Sequence, residues 1–410
     1  MISFNRIQTA TKLLIFGLLI VATTASSQAQ MIAVRGKRIH TVSGDIITNG
    51  VVLIQDGKIA AVGPATAVTI PDGTKVIDAA VVTPGLIDAH SVVGLSGQLN
   101  QKHDQDQQES GENISPELRA LDAYNYNERL VSWLREHGIT SIHTGHAPGA
   151  MVAGTSMIVK TRRAPLDDIV ISKEAMLIGS LSDAARKKGA GTKAKQVAAL
   201  RAKLLKARAY AKKQADADAE KRPSQDLALD ALVAVLEKKR PFLITAHSER
   251  DIATAIRLQK EFGFRLILDG CSEIYRCADL VKAAGVSVIC HPTMMRSSGE
   301  KKNASMTTPA ALHRLKIPFA FQSGFESYVP KTRVVLFEAT VAVAYGLKDT
   351  HALRHLTLDA ARILSIESRV GSIEVGKDGD LALFDGDPFE YTTHVIGTII
   401  DGRHVSEVMR

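Results

Sequence analysis

From residue 31 to 82 the chain alternates short apolar runs with turn pairs. Residues 51–55 run into Asp56-Gly57, 59–62 into Gly63-Pro64, and Pro71-Asp72-Gly73 precedes 76–78. Runs of that length closed by such pairs predict β-hairpins. The far end has the same texture, with runs at 371–376, 380–384 and 394–400 set between Asp385-Gly386-Asp387-Pro388 and Asp401-Gly402-Arg403. Between these ends the pattern changes. Apolar runs at 139–143, 242–245, 265–268, 286–290 and 317–321 lie beside amphipathic stretches such as 251–262 and 333–345. Strand and helix in alternation predict a parallel sheet with right-handed crossovers, and at this length an α/β fold of the TIM (β/α)8 barrel kind. The expected organisation is a barrel over 84–365 and a small β-sandwich built from 31–83 plus 366–410. In such a barrel the chemistry collects at the C-terminal strand ends.

Residues 1–30 break the pattern. Arg6 and Lys12 precede an apolar run from 13 to 22, and Ser27-Gln28-Ala29 places small residues at −3 and −1 of a cleavage site after Ala29. That is the form of a secretory signal peptide, so the mature chain is expected to be periplasmic or secreted. A retained anchor is the competing reading. The run is too short for a spanning helix, which needs about 20 apolar residues, and no transmembrane helix is expected in the mature chain. Cleavage removes Arg6 and Lys12 and no acid, taking the net charge from +8 to +6. Much of the remaining positive charge lies in 193–222, where Leu200, Leu204 and Leu205 suggest an amphipathic helix with a solvated basic face. Without interleaved aromatic residues this stretch does not indicate nucleic-acid binding. Only Cys271, Cys277 and Cys290 occur, an odd number that gives no disulfide framework and reads as small buried apolar residues.

Residues 84–92 read P-G-L-I-D-A-H-S-V, 116–123 P-E-L-R-A-L-D-A, and 370–381 V-G-S-I-E-V-G-K-D-G-D-L. Together with 251–269, this ordered series resembles the amidohydrolase superfamily, and within it imidazolonepropionase-like secreted amidohydrolases. The resemblance implies metal-dependent hydrolysis of non-peptide or peptide-like C–N bonds. It also implies zinc or another divalent metal, which lowers the pKa of bound water to about 7.

Compared with the family pattern, the ligand positions are degenerate. The first strand keeps His90 but has Val92 where a second histidine is usual. Ile178 stands at the place of the carboxylated lysine. Thr245-Ala246-His247 replaces H-A-H, so either Thr245 has lost a ligand or, one register over, His247 retains it. Gly270 stands for a histidine in L-D-H-G, and Gly324 for the aspartate in Q-T-D-H. His90, with His247 in question, leaves fewer than the three protein ligands that a zinc site needs. The expectation is a pseudoenzyme or binding scaffold in a homo- or hetero-oligomer with a family paralogue, with no metal or a weakly held one and a small-molecule ligand of unknown kind. The alternative is an active hydrolase with a rewired, mononuclear site drawn from His90, His143 or His146, His247 and Glu326. His291, before Pro292, reads as a hydrogen-bonded structural residue. It makes no dyad with Cys290, since neighbours on a strand face opposite sides.

Overall fold

A computed structural model describes residues 31–99, 101–189, 191–216, 218–325 and 334–410. The expected signal peptide at 1–30 and the candidate ligand Glu326 lie outside the described residues. In chain order the strands are β1 (Met31–His40), β2 (Ile46–Gln55), β3 (Lys58–Pro64), β4 (Lys75–Pro84), β5 (Leu86–Ser91), β6 (Ile139–Thr144), β7 (Val152–Thr155), β8 (Met157–Lys160) and β9 (Val170–Ser172). They continue as β10 (Leu177–Ser180), β11 (Phe242–Ala246), β12 (Leu266–Gly270), β13 (Ser287–Cys290), β14 (Phe319–Phe321), β15 (Leu381–Phe384), β16 (Val395–Ile400) and β17 (Arg403–Ser406).

The two ends of the chain meet in one seven-stranded sheet, ordered β17-β16-β15-β4-β1-β2-β3. Two of its hairpins form where the sequence placed Asp-Gly. Asp56 and Gly57 have φ of 50° and 81°, and Asp401 and Gly402 have 50° and 67°. Two consecutive positive-φ residues are what a two-residue type I′ turn requires, and its twist matches that of the strands it joins. Period-2 alternation buries Ile32, Val34, Val52, Ile54, Leu381, Leu383 and Ile399 in one cluster. Strands from the two termini pair in this single sheet, and the expected sandwich is not shown.

The centre has a six-stranded sheet, β14-β13-β12-β11-β10-β7, and a four-stranded one, β5-β6-β8-β9. Strands β10 to β14 run parallel to one another, as do β5 and β6. The expected closed ring of eight parallel strands is not seen. Instead β7 is antiparallel to β10 and β8 antiparallel to β6, and only Ser156 separates them in the chain, so one bent segment bridges the two sheets. On the other side Gly324 N donates to His90 O at 3.3 Å, joining the end of β14 to β5. The result is a TIM-barrel-like α/β fold.

Alternation along the parallel strands sets two environments. Phe242, Ile244, Leu266, Leu268, Val288 and Phe319 belong to the large core shared with the helices. Leu243, Ile267, Ile289 and Ala320 turn the other way and form an inner apolar layer with Ile87, Ala89 and Ile178. Two residues further along these strands, the inner register falls on Thr245, Asp269, His291 and Gln322. A polar layer therefore caps the apolar one at the C-terminal ends.

The basic segment forms a helix at Lys193–Gln214, which buries Gln196, Leu200, Leu204, Ala207 and Tyr210. Leu205, expected on that face, is 52% exposed. At 3.6 residues per turn it lies about 140° from Leu200, whereas Ala207 lies about 20° away. The three cysteines are buried and unpaired, as expected.

Candidate functional site

Asp269, at the end of β12, organises the polar layer. Its Oδ1 meets His90 Nδ1 at 3.0 Å and accepts from Gln322 Nε2 at 2.8 Å, while its Oδ2 accepts from the Thr245 hydroxyl at 2.6 Å. Burial pushes the Asp269 carboxyl up, but the His90 charge and these donors together bring it below the ordinary range. Burial disfavours charge on His90 as well, yet Asp269 and then Asp88 outweigh it and raise the ring above its ordinary value. Asp88 accepts from Ser323 N at 3.0 Å, Ser323 Oγ at 2.5 Å and His90 N at 3.3 Å. Burial nevertheless pushes it up to about 6. With Nδ1 turned to Asp269, His90 leaves Nε2 buried without a hydrogen-bond partner. The ring borders a cavity of about 30 Å³, shared with Val92, Thr245, His247, Met295 and Lys301. That space suits about one water.

The side-chain space at the positions singled out in the sequence is occupied by neighbouring groups. Gly270 has φ +77°, and a Cβ there would lie 2.6 Å from Cε1 of His247, whose ring occupies that space. Gly324 has φ +68°, and its Cβ would run into the Pro292 ring. Ile178 is fully buried in the inner apolar layer. Thr245 and His247 both line the cavity, one as a donor to Asp269 and the other with Nδ1 on the Ser272 hydroxyl at 2.9 Å. Burial first, then Lys301, depress His247 to about 3, so the ring is neutral.

Among the described members of the rewired set, His143 lies beside His90, with ring centroids 5.6 Å apart. His143 has Nδ1 on Ala89 O at 2.7 Å and Nε2 on Ser156 Oγ at 2.6 Å. Burial and then the His90 charge depress it to about 3, so it is neutral: Nδ1–H donates and Nε2 accepts from the serine hydroxyl. Both nitrogens are committed, and the ring serves to pin the bent β7–β8 segment to β5. His146 is not among the residues lining the cavity; burial depresses it to about 4, and its neighbours in charge are Glu109 and Asp106. His291 spends Nδ1 on Pro292 O at 2.9 Å, while its Nε2 is buried without a hydrogen-bond partner. The sequence places Asp269 as a potential ligand beside the altered position 270, but not its contacts, and Gln322 was not legible as a site residue from the motifs. Counting two residues on from Ile267 and Ala320 along the inner register would have found both.

A profile of the amidohydrolase family matches residues 81–405. The chain belongs to the amidohydrolase family. It is 24% identical over 403 residues to imidazolonepropionase from Sphingopyxis alaskensis, an alignment covering 86% of this chain and 91% of that one. A 64-residue stretch, 15% of this chain and 11% of the other, is 38% identical to adenine deaminase 3 of Rhizobium meliloti. The fold superposes on an amidohydrolase from Thermotoga maritima with a TM-score of 0.86 and 26% identity, covering 92% of this chain and 100% of that one. An adenosine deaminase from Xanthomonas campestris with bound zinc shares the fold at a TM-score of 0.53 and 14% identity, over 91% of this chain and 92% of that one.

The amidohydrolase relationship implies a divalent metal, and the described residues do not present a set that fits one. Both Asp269 oxygens are engaged by protein donors, His143 has no free nitrogen, and the side-chain space at 270 and 324 is occupied by His247 and Pro292. Among the described residues no group of three or more His, Cys, Asp or Glu is disposed to hold a metal.

Proposed function

We propose that this amidohydrolase-family chain is exported, has lost the family's metal centre, and acts as a pseudoenzyme or binding scaffold, alone or in an oligomer with a catalytic paralogue. On this reading the two central sheets are the inner wall of a (β/α)8 barrel, and the terminal segments are its accompanying β domain. Export rests on the basic, apolar and small-residue order of 1–30. The observation that carries the loss of function is the closed circuit at Asp269. A carboxylate that accepts from His90, Thr245 and Gln322 at once has three of its roughly four acceptor sites engaged inside the protein.

A second reading, a hydrolase with a rewired mononuclear centre, draws on the atoms this packing leaves unpaired, His90 Nε2 and His291 Nε2. An assay of the full chain with excess zinc, on cyclic amides, dipeptides and formimino compounds, separates the two readings. The pseudoenzyme reading predicts no turnover above that of a His90→Ala variant. Zinc-dependent turnover that His90→Ala abolishes would establish the rewired hydrolase.

A further inference from the structure

At the opposite end of the central sheet, a groove of about 500 Å³ opens. Arg265 immediately precedes β12, Ser287 begins β13 and Pro318 immediately precedes β14, so the groove lies at the N-terminal strand ends, away from His90. Its charge is one-sided. Arg265, Lys316, Arg354 and Arg362 line it with His313 and His355, against the single carboxylate of Asp359.

That carboxylate is heavily shared. Arg354 Nε lies 3.2 Å, an Arg362 guanidinium nitrogen 3.3 Å and His355 Nδ1 3.0 Å from its oxygens. Arg265 is fixed by the Ser365 hydroxyl at 3.1 Å and Ile363 O at 3.3 Å. Neither Arg265 nor Lys316 has a carboxylate oxygen within 4.0 Å among the described residues. Lys316 is held at φ 59°, a conformation that non-glycine residues rarely adopt. His355 is buried, stacked on Phe319 with ring centroids 3.8 Å apart, and His313 Nδ1 meets its Nε2 at 3.1 Å. Ile317, Pro318 and Ile363 supply an apolar wall.

Four cations facing one carboxylate in a concave surface concentrate anions locally. Guanidinium forks held in place match the paired oxygens of phosphate or carboxylate groups. We propose that this groove is a second ligand site, for a small polyvalent anion bearing phosphate or several carboxylates. The site is independent of whether the His90 end is catalytic.

Isothermal titration of the full chain in about 0.15 M salt, with inorganic pyrophosphate and separately with citrate, tests the proposal. The expected result is saturable one-to-one binding of at least one anion, weakened at least about tenfold by Lys316→Gln together with Arg265→Gln. Lys316→Gln alone, an exposed change that leaves the Arg265 contacts in place, weakens binding in the same direction. Arg201→Gln, in a different basic patch, leaves affinity unchanged. Tighter pyrophosphate binding identifies a phosphate ligand, and tighter citrate binding a polycarboxylate. The absence of saturable binding by either probe, or an affinity that Lys316→Gln and the double variant leave unchanged, would overturn the proposal.

Discussion

Asp269 shows how a single residue can keep a site polar while closing it. Its oxygens gather donors from β5, β11 and the residue just after β14, so removing the carboxylate leaves His90 and Thr245 without that partner in a buried layer. Asp269→Ala is therefore expected to destabilise the fold by roughly 3–5 kcal/mol, the usual cost of breaking a buried charged pair; denaturant midpoints would measure it. Gly270 gives the complementary test. Gly270→His restores the side-chain type usual in the family, but at φ +77° and into the space of the His247 ring. The expected outcome is a loss of roughly 1–3 kcal/mol from overpacking and backbone strain with no gain in zinc content. A variant that bound a full equivalent of zinc without losing stability would refute the refilled-site account.

Between elements, the junction of the terminal sheet with the central strands depends on a buried lysine. Lys160, at the end of β8, is 1% exposed; its Nζ lies 2.7 Å from Asp378 and 3.0 Å from Asp380, and it also pairs with Asp401. Arg369 and Lys58 add further contacts to Asp378. These aspartates lie in Asp378-Gly379-Asp380 and Asp401-Gly402; the turn at Asp401-Gly402 was readable in the sequence, whereas their shared partner, 218 to 241 residues away, was not. Lys160→Met leaves three carboxylates facing one another and should lower stability by roughly 3–5 kcal/mol, read as a fall in Tm. The pH dependence has a definite sign. Burial alone would raise Asp378, but Lys160 and the other cations hold it at about 2. Against an unfolded value of about 3.9, its contribution is present above pH 4 and is lost as pH falls toward 2. Acid unfolding over that window should be shallower in Lys160→Met than in the wild type.

For the whole molecule, the legible part of the fold was the part written in local periodicity. The hairpins closed at Asp56-Gly57 and Asp401-Gly402, and the parallel β11–β14 run, follow from turn chemistry and apolar runs. The single terminal sheet and the antiparallel β7–β8 bridge depend on pairings between distant segments, which apolar runs do not encode. At the site, the motifs located His90 and the altered positions, but not what fills them: His247 over Gly270 and Pro292 against Gly324 are tertiary contacts. Export predicts that mass spectrometry of secreted material finds a mature chain beginning at Gln30, and an intact Met1 would contradict it. If protein packing fills the place of the family's metal centre, as proposed, the purified chain holds no zinc. Elemental analysis of the purified mature chain, loaded with zinc and then desalted, tests it most directly. Less than about a tenth of an equivalent is expected, since a stable zinc site needs at least three protein ligands, and His90→Ala should not change that amount. One equivalent of zinc per chain, lost on His90→Ala, would show that the chain keeps a metal centre at His90.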